Sequence, residues 1–244
     1  DGFRLQASLA TIQHCLQQGA AVVLMSHLGR PKGKVDKKLS LISVGETLAD
    51  LLEMPIKFSD DCISEDARNT SLGISPGEIH LLENLRFHDG ETLNDPQFSM
   101  LLAKHGEVYI NDAFGASHRE HASIVGLVNH IGWSGGGFLL EKEVDGLSKL
   151  LASDVGEPFI AVIGGAKVSD KLSILNALLG RVSTICIGGA MAYTFLKGLG
   201  IEVGSSRIEE NKVRLAADIL ARAQTRGVEI LLPVDHVVAD RFSA

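Results

Sequence analysis

The sequence predicts an α/β fold of two parallel-sheet domains joined by a helix. Three observations predict it. Short apolar, β-branched runs recur along the whole chain. Longer amphipathic segments separate them, which is the alternation of a βα chain with a mainly parallel sheet. Near the middle, a Gly-rich stretch, a charged helix and a Gly-Glu-Pro break interrupt the pattern before it resumes.

Taken in order, the first element is a helix over residues 5–18, with Leu5, Leu9, Ile12 and Leu16 on one face. The strand candidate Ala20–Met25 (AAVVLM) follows, then a helix over 43–52 with Val44, Leu48 and Leu51 at helical spacing. Further strands are expected at Ile79–Leu82, Val108–Asn111, Phe159–Ile163, Thr184–Ile187 and Glu229–Leu232. Their near-continuous Val, Ile and Leu content predicts strands buried on both faces. Ser134–Gly137 leads into a charged helix, Glu141–Ser153, with Val144, Leu147, Leu150 and Leu151 on one side. Gly156-Glu157-Pro158 ends it. A last helix over 209–226 carries Val213, Ala216, Leu220 and Ala223 and stops at Gly227, as a C-cap would. The expected domains are therefore 1–138 and 158–244, with 139–157 as the connecting helix. Because the chain opens on a helix and stops soon after a strand, both domains are expected to be incomplete.

Composition bounds the function. Of the 244 residues 45% are apolar and 22% charged, enough core material for a folded chain of ordinary solubility. The longest apolar runs, around Ala20–Met25 and Phe159–Ile163, are too short to cross a bilayer. A net charge of −7 disfavours a nucleic-acid or anionic-membrane surface. Cys15, Cys62 and Cys186 are an odd set without CxxC spacing, so neither a disulfide framework nor a zinc site is indicated. Cys186, within an apolar run, is expected to be buried, and a reducing cytoplasm fits this cysteine usage.

In open parallel sheets ligands bind beyond the carboxyl ends of the strands. Here those ends run into polar, often basic, segments. Ala20–Met25 leads to Ser26-His27-Leu28-Gly29-Arg30-Pro31, Ile79–Leu82 to Glu83-Asn84-Leu85-Arg86, and Val108–Asn111 to Asp112 through Arg119. Any one arginine is more often a surface ion pair. Three of them repeated after strands, with His27, suggest a cage for a small multiply charged anion, since guanidinium forks match phosphate and carboxylate oxygens. His118 and His121 could be read as a metal pair, but no third ligand supports it. In the second half, Phe159–Ile163 runs into Gly164-Gly165-Ala166-Lys167-Val168-Ser169-Asp170-Lys171 and a helix. The glycines allow close backbone approach, and Ser169 or Asp170 is expected to cap the helix. Lys171 in the first turn opposes the helix dipole unless an anion binds there. Gly188-Gly189-Ala190 forms a second such turn. Neither GxxxxGK[ST] nor GxGxxG after a strand is present, which argues against a P-loop or standard dinucleotide fold.

In order, SHLGRPKGK (26–34), LLENLRFH (81–88), NDAFGASHREHAS (111–123), GGAKVSDK (164–171), GGAMAYTFLK (188–197) and LLPVDHVVADRFSA (231–244) resemble phosphoglycerate kinase. The resemblance covers essentially the whole chain. It implies two Rossmann-like domains, an N-terminal one for the glycerate and a C-terminal one for the nucleotide. The reaction it implies is reversible phosphoryl transfer between 1,3-bisphosphoglycerate and MgADP, giving 3-phosphoglycerate and MgATP in glycolysis. By resemblance, Arg4, His27, Leu28, Gly29, Arg30, Arg86 and Arg119 hold the glycerate. Arg4, Lys167 and Lys171 serve the moving phosphoryl group, where positive charge steadies the transition state. Gly165, Ala166, Lys167, Lys171 and Gly189 meet the nucleotide. The family's opening VDFN-like strand and its later WNGPMG-like and GGGDS/T-like segments are not in this sequence. Protein ligands to Mg²⁺ are thus expected outside the chain, no metal ligand is assigned within it, and the segment by itself is expected to be inactive, at most a phosphate-ligand-binding module. A monomeric, cytoplasmic enzyme without nucleic-acid or membrane partners is implied.

Overall fold

The computed structural model describes residues 2–151, 158–237 and 239. The chain divides into two compact units, Asp1–Ser148 and Lys149–Ala244.

The first unit opens with α1 (Gly2–Gln17), whose Ile12 is buried with Leu9 and Leu16 packed beside it. Then come β1 (Val22–Leu24), α2 (Ile42–Leu52), β2 (Ile56–Phe58), α3 (Glu65–Leu72) and β3 (Ile79–Leu81). β3 lies between its neighbours in the order β1-β3-β2, and both pairings are parallel, with Val22 and Ile56 each opposite Ile79. Two short helices follow without an intervening strand, α4 (Asp89–Thr92) and α5 (Pro96–Ala103). Asp95 accepts from Phe98 N at 2.7 Å and Pro96 occupies the first turn, so α5 starts with a side-chain cap and a preset φ. β4 (Val108–Asn111) and β5 (Trp133–Gly136) pair in parallel, joined by single helical turns. α6 (Phe138–Leu151) then runs across the division between the units.

The second unit holds β6 (Ile160–Gly164), α7 (Leu172–Leu178), β7 (Thr184–Gly188), α8 (Met191–Gly198), α9 (Val213–Thr225) and β8 (Glu229–Leu231). Its parallel sheet has the order β6-β7-β8. Leu175, Ile185, Met191, Phe195 and Ile219 are fully buried between sheet and helices. Each contributes roughly 1.5–3 kcal/mol of burial.

The α/β class with parallel sheets is the observed one, and six of the expected strands are present with ends shifted by up to two residues. Several details differ. Full burial on both faces holds for β3, whereas β4 and β6 alternate: Val108 and Val162 are 61% and 82% exposed. Among the described residues Tyr109 and Ile163 pack into the helix-lined cores, while Val108 and Val162 point to the opposite faces of their strands. β2 escapes the pattern because three residues with a lysine at the centre show no apolar run. In β5, Trp-Ser-Gly-Gly contributes backbone pairing almost alone, so it reads as a loop. Val144, Leu147 and Leu150 of α6 are exposed among the described residues. The buried thiol is Cys62, at 1% exposure, and Cys186 is only partly covered. The expected end of the connecting helix at Ser153, the Gly156-Glu157 break and the tail at 240–244 lie outside the described residues.

Beneath this sheet runs a buried polar chain. His105 Nε2 meets the Cys62 carbonyl at 3.0 Å, and a carbonyl only accepts, so this nitrogen carries the proton. His105 Nδ1 must then accept from Ser71 Oγ at 2.6 Å. Ser71 Oγ in turn accepts from His80 Nδ1 at 2.8 Å, leaving His80 Nε2 to accept from Ser59 Oγ at 2.8 Å. The proton order is fixed from one end to the other, and both imidazoles are neutral. Burial first, then the neighbouring His105 ring, whose protonation would compete with that of His80, and Lys57 push His80 down to about 4. Burial lowers His105 as well, against the pull of the Cys62 carbonyl. Because the folded value lies below the unfolded one near 6.5, the chain's contribution is complete above pH 6.5 and is lost as pH falls toward 4. Urea unfolding at pH 4.5 is expected to show a loss on the order of 2 kcal/mol from His80 relative to pH 7.5. A His80 ring signal that titrates near pH 6.5 by NMR would contradict this proton order.

Candidate functional site

The carboxyl ends of β1 and β3 lie side by side, and the segments that follow them are tied together by one side chain, Asn84. Its Oδ1 accepts from Leu28 N at 3.2 Å and Arg86 N at 3.1 Å, and its Nδ2 donates to Leu28 O at 2.8 Å and Leu39 O at 2.9 Å. Glu83 beside it accepts from Ser40 Oγ at 2.6 Å, Leu41 N at 2.7 Å and Asn84 N at 2.8 Å. Three segments, at Leu28, Leu39–Leu41 and Glu83–Arg86, thus converge on two buried residues. Gly29 takes a left-handed φ of +64°, and a β-carbon there would strike the Leu39 side chain at 2.7 Å. Arg86 reaches across to donate to Gly29 O at 2.8 Å. Replacing Asn84 with Ala would leave buried backbone groups without partners, so Asn84→Ala is expected to cost roughly 2–4 kcal/mol in urea unfolding.

Around this hub the positive side chains gather. His27 is half-buried behind β1; burial, then Arg86, His121, Arg119 and Arg4, push it down to about 4. Burial also lowers Arg86, and Arg119 and Arg30 add to the effect while Glu91 opposes it. Arg4, Arg86 and Arg119 are therefore near enough to act on His27, and Arg30 and Arg119 on Arg86, with Arg4, Arg30 and Arg119 exposed. The backbone at Leu28 and Gly29 borders the same place. Among the described residues no carboxylate lies in ion-pair range of any of these arginines. The Nε of Arg86 is buried without a partner. Ordinary surface ion pairing therefore does not account for them. His121 is 9% exposed, and its Nδ1 stands 3.4 Å from Glu91 Oε1, an electrostatic contact longer than a short hydrogen bond.

In the second unit two glycine turns face each other at the carboxyl ends of β6 and β7. Gly189 has φ +67°, and a β-carbon on it would meet Gly165 O at 2.8 Å and Gly165 N at 2.9 Å. Met191 N donates to Gly165 O at 2.9 Å, locking the two turns together. Ala166 and Lys167 are exposed and Lys171 is half-buried, its Cε alongside Gly165. Neither Ser169 nor Asp170 caps the helix through its side chain. Residues 169–171 form a 3₁₀ turn instead, and Glu209 supplies the negative charge from a distant loop. Its carboxylate accepts from Ser169 N at 3.1 Å and Ser169 Oγ at 2.7 Å. Those bonds, followed by Lys167 nearby, hold Glu209 below the usual carboxylate range. A carboxylate of the chain itself thus meets the turn that carries Lys171, through Ser169.

Glu83, Asn84, Glu91 and Glu209 were not singled out by sequence. Glu83 and Asn84 carry a signal, being polar residues directly after an apolar strand. Glu91 and Glu209 act through contacts 32 and 40 residues distant, which no local pattern reveals.

Together the fold and these two strand-end clusters define an open-sheet α/β protein whose loops gather guanidinium groups and bare backbone turns. Comparison with known proteins makes the class specific. The family described as Phosphoglycerate kinase matches residues 1–244, and the chain belongs to that family. It is 49% identical over 244 residues to the phosphoglycerate kinase of Moorella thermoacetica, covering all of this chain and 62% of that protein. It is 46% identical over 242 residues to that of Chloroherpeton thalassium, covering 99% and 61%. Among solved structures, phosphoglycerate kinase from Coxiella burnetii superposes with a TM-score of 0.84 at 34% identity, covering 100% of this chain and 61% of that one. The enzyme from Pyrococcus horikoshii gives 0.80 at 28% identity, covering 95% and 59%. The chain spans about three fifths of the length of these relatives. No helix among the described residues is long and apolar enough to cross a membrane.

Proposed function

We propose that this chain carries the glycerate-binding region and part of the nucleotide-binding region of a phosphoglycerate kinase, acting in cytoplasmic glycolysis as a monomer. The reaction is transfer of a phosphoryl group between 1,3-bisphosphoglycerate and MgADP, yielding 3-phosphoglycerate and MgATP, with Mg²⁺ entering as part of the nucleotide substrate. One observation carries the reading: Arg4, Arg86 and Arg119 crowd around His27, and Arg30 around Arg86, with no carboxylate in ion-pair range of these arginines among the described residues.

3-Phosphoglycerate brings a phosphate and a carboxylate on a three-carbon body. Such a ligand offers oxygens in two directions, which suits several guanidinium forks better than one. In this reading Arg30, Arg86 and Arg119 hold the phosphate and carboxylate, and His27 supplies a neutral ring nitrogen beside them. The Leu28-Gly29 backbone lines the same floor. Arg4 stands toward the group that is transferred, where charge spreads over the equatorial oxygens as the reaction proceeds. In the second unit the Gly165-Ala166 and Gly189 turns admit the nucleotide close to the backbone. Lys167 and Lys171 neutralise its phosphates and follow the moving group. The names of the relatives and the family membership support this assignment.

The test is a coupled assay of phosphoryl transfer from MgATP to 3-phosphoglycerate. Saturable 3-phosphoglycerate binding without turnover is the result expected of this chain. Turnover that requires both ligands would overturn its expected inactivity, and absence of both contradicts the reading.

A further inference from the structure

Glu91 is a buried carboxylate, 1% exposed, on the short helix α4 that follows the Arg86 turn. Its two oxygens are spent on one residue: Oε2 accepts from Ser123 N at 3.0 Å and Oε1 from Ser123 Oγ at 2.7 Å. The same Oε1 faces His121 Nδ1 at 3.4 Å. Ser123 is held from its other side too, since Tyr109 Oη donates to its carbonyl at 2.7 Å. Arg119 lies four residues earlier on this loop, followed by Glu120 and His121. Two segments far apart in sequence, one bearing Arg86 and the other Arg119, are thus joined by a buried side chain.

A neutral acceptor could satisfy Ser123, and burying a carboxylate carries a large desolvation cost. Glu91 is near enough to Arg86 to act on its charge, yet no guanidinium among the described residues comes into ion-pair range of it. It therefore fastens the loop without occupying the arginine donors, which keep their hydrogen-bonding capacity for a ligand.

We propose that Glu91 is a positioning residue for the basic cluster, clamping the Arg119 loop to the Arg86 turn so that both guanidiniums address one anion. The inference rests on the reading of that cluster as the 3-phosphoglycerate site.

The probe is 3-phosphoglycerate, titrated calorimetrically into the chain and its variants. Glu91→Ala removes the clamp and is expected to weaken binding about 10-fold, the scale of losing two charge-assisted hydrogen bonds that order a loop. Glu91→Gln keeps it: the amide oxygen accepts from Ser123 N while its NH₂ donates to Ser123 Oγ. That variant should rescue affinity to within about 3-fold of the unaltered chain, or exceed it, because a negative charge has left the cluster. In an Arg119→Ala background, Glu91→Ala should cost less than about 2-fold more, since the clamp then has nothing to position. Should Glu91→Ala not fold, Ser123→Ala removes one bond, with an expected loss of about 3-fold that vanishes in the Arg119→Ala background. Equal losses for Glu91→Ala and Glu91→Gln, or losses that persist without Arg119, overturn the proposal. No binding by the unaltered chain overturns the reading of the site and this inference with it. Binding that Glu91→Ala shares within 2-fold overturns the inference alone.

Discussion

Arg86→Ala is expected to lower the affinity for 3-phosphoglycerate by about 100-fold or more, the scale of losing a multidentate guanidinium contact in a partly desolvated site. Thermal stability should hold or rise slightly. The reason lies in the surroundings of this side chain: burial and the neighbouring Arg119 and Arg30 all disfavour its charge, and only Glu91 favours it. Its donation to Gly29 O is exposed, so water can replace it at little cost. A residue that costs the folded chain more than it returns is expected where a ligand completes its interactions. Arg226→Ala, in the other unit, is the control and should leave the titration unchanged. An Arg86→Ala chain that binds as tightly as the unaltered one would remove Arg86 from the site.

Gly189→Ala is expected to destabilise the second unit by about 3–5 kcal/mol, combining a left-handed φ with a clash that no side-chain rotation relieves. The atoms a β-carbon would strike, Gly165 O and N, are backbone, and moving them breaks the bond from Met191 N. Gly188→Ala is the matched control, because nothing lies within 4 Å of its β-carbon position. That substitution should cost under about 1 kcal/mol. Similar urea midpoints for the two variants would show that the paired turns tolerate separation.

Much of this was legible in the sequence, for reasons that particular residues make plain. Val22–Leu24, Ile160–Gly164 and Thr184–Gly188 announce themselves because apolar branched residues suit a pleated, packed surface. Arg30, Arg86, Arg119 and His27 were legible as candidates because ligand groups in open sheets follow strand ends, a rule of topology that survives translation into sequence order, whereas Arg4, on α1, entered only through the resemblance. β5 was not legible, since Ser134, Gly135 and Gly136 offer backbone pairing with little side-chain burial. α3 and α5 are preceded by clear capping residues, Ser64 and Asp95, but their apolar faces are short. The polar framework was hidden for a different reason. Asn84, Glu83, Glu91 and Glu209 work by reaching across the chain, and a single sequence does not say which distant backbone amide a carboxylate will meet. The same limit applies to Ser169, whose expected capping role is displaced by a glutamate forty residues on.

The central claim is that the strand-end arginines of the first unit form one anion site. Its most direct measurement is a 3-phosphoglycerate titration followed at the arginine Nε–Hε signals by NMR. Arg86 and Arg119, with Arg30, should shift together along one saturable curve, His27 moving with them, and added salt should weaken the curve. Arginine signals that stay in place, or that shift with unrelated midpoints, would contradict the site.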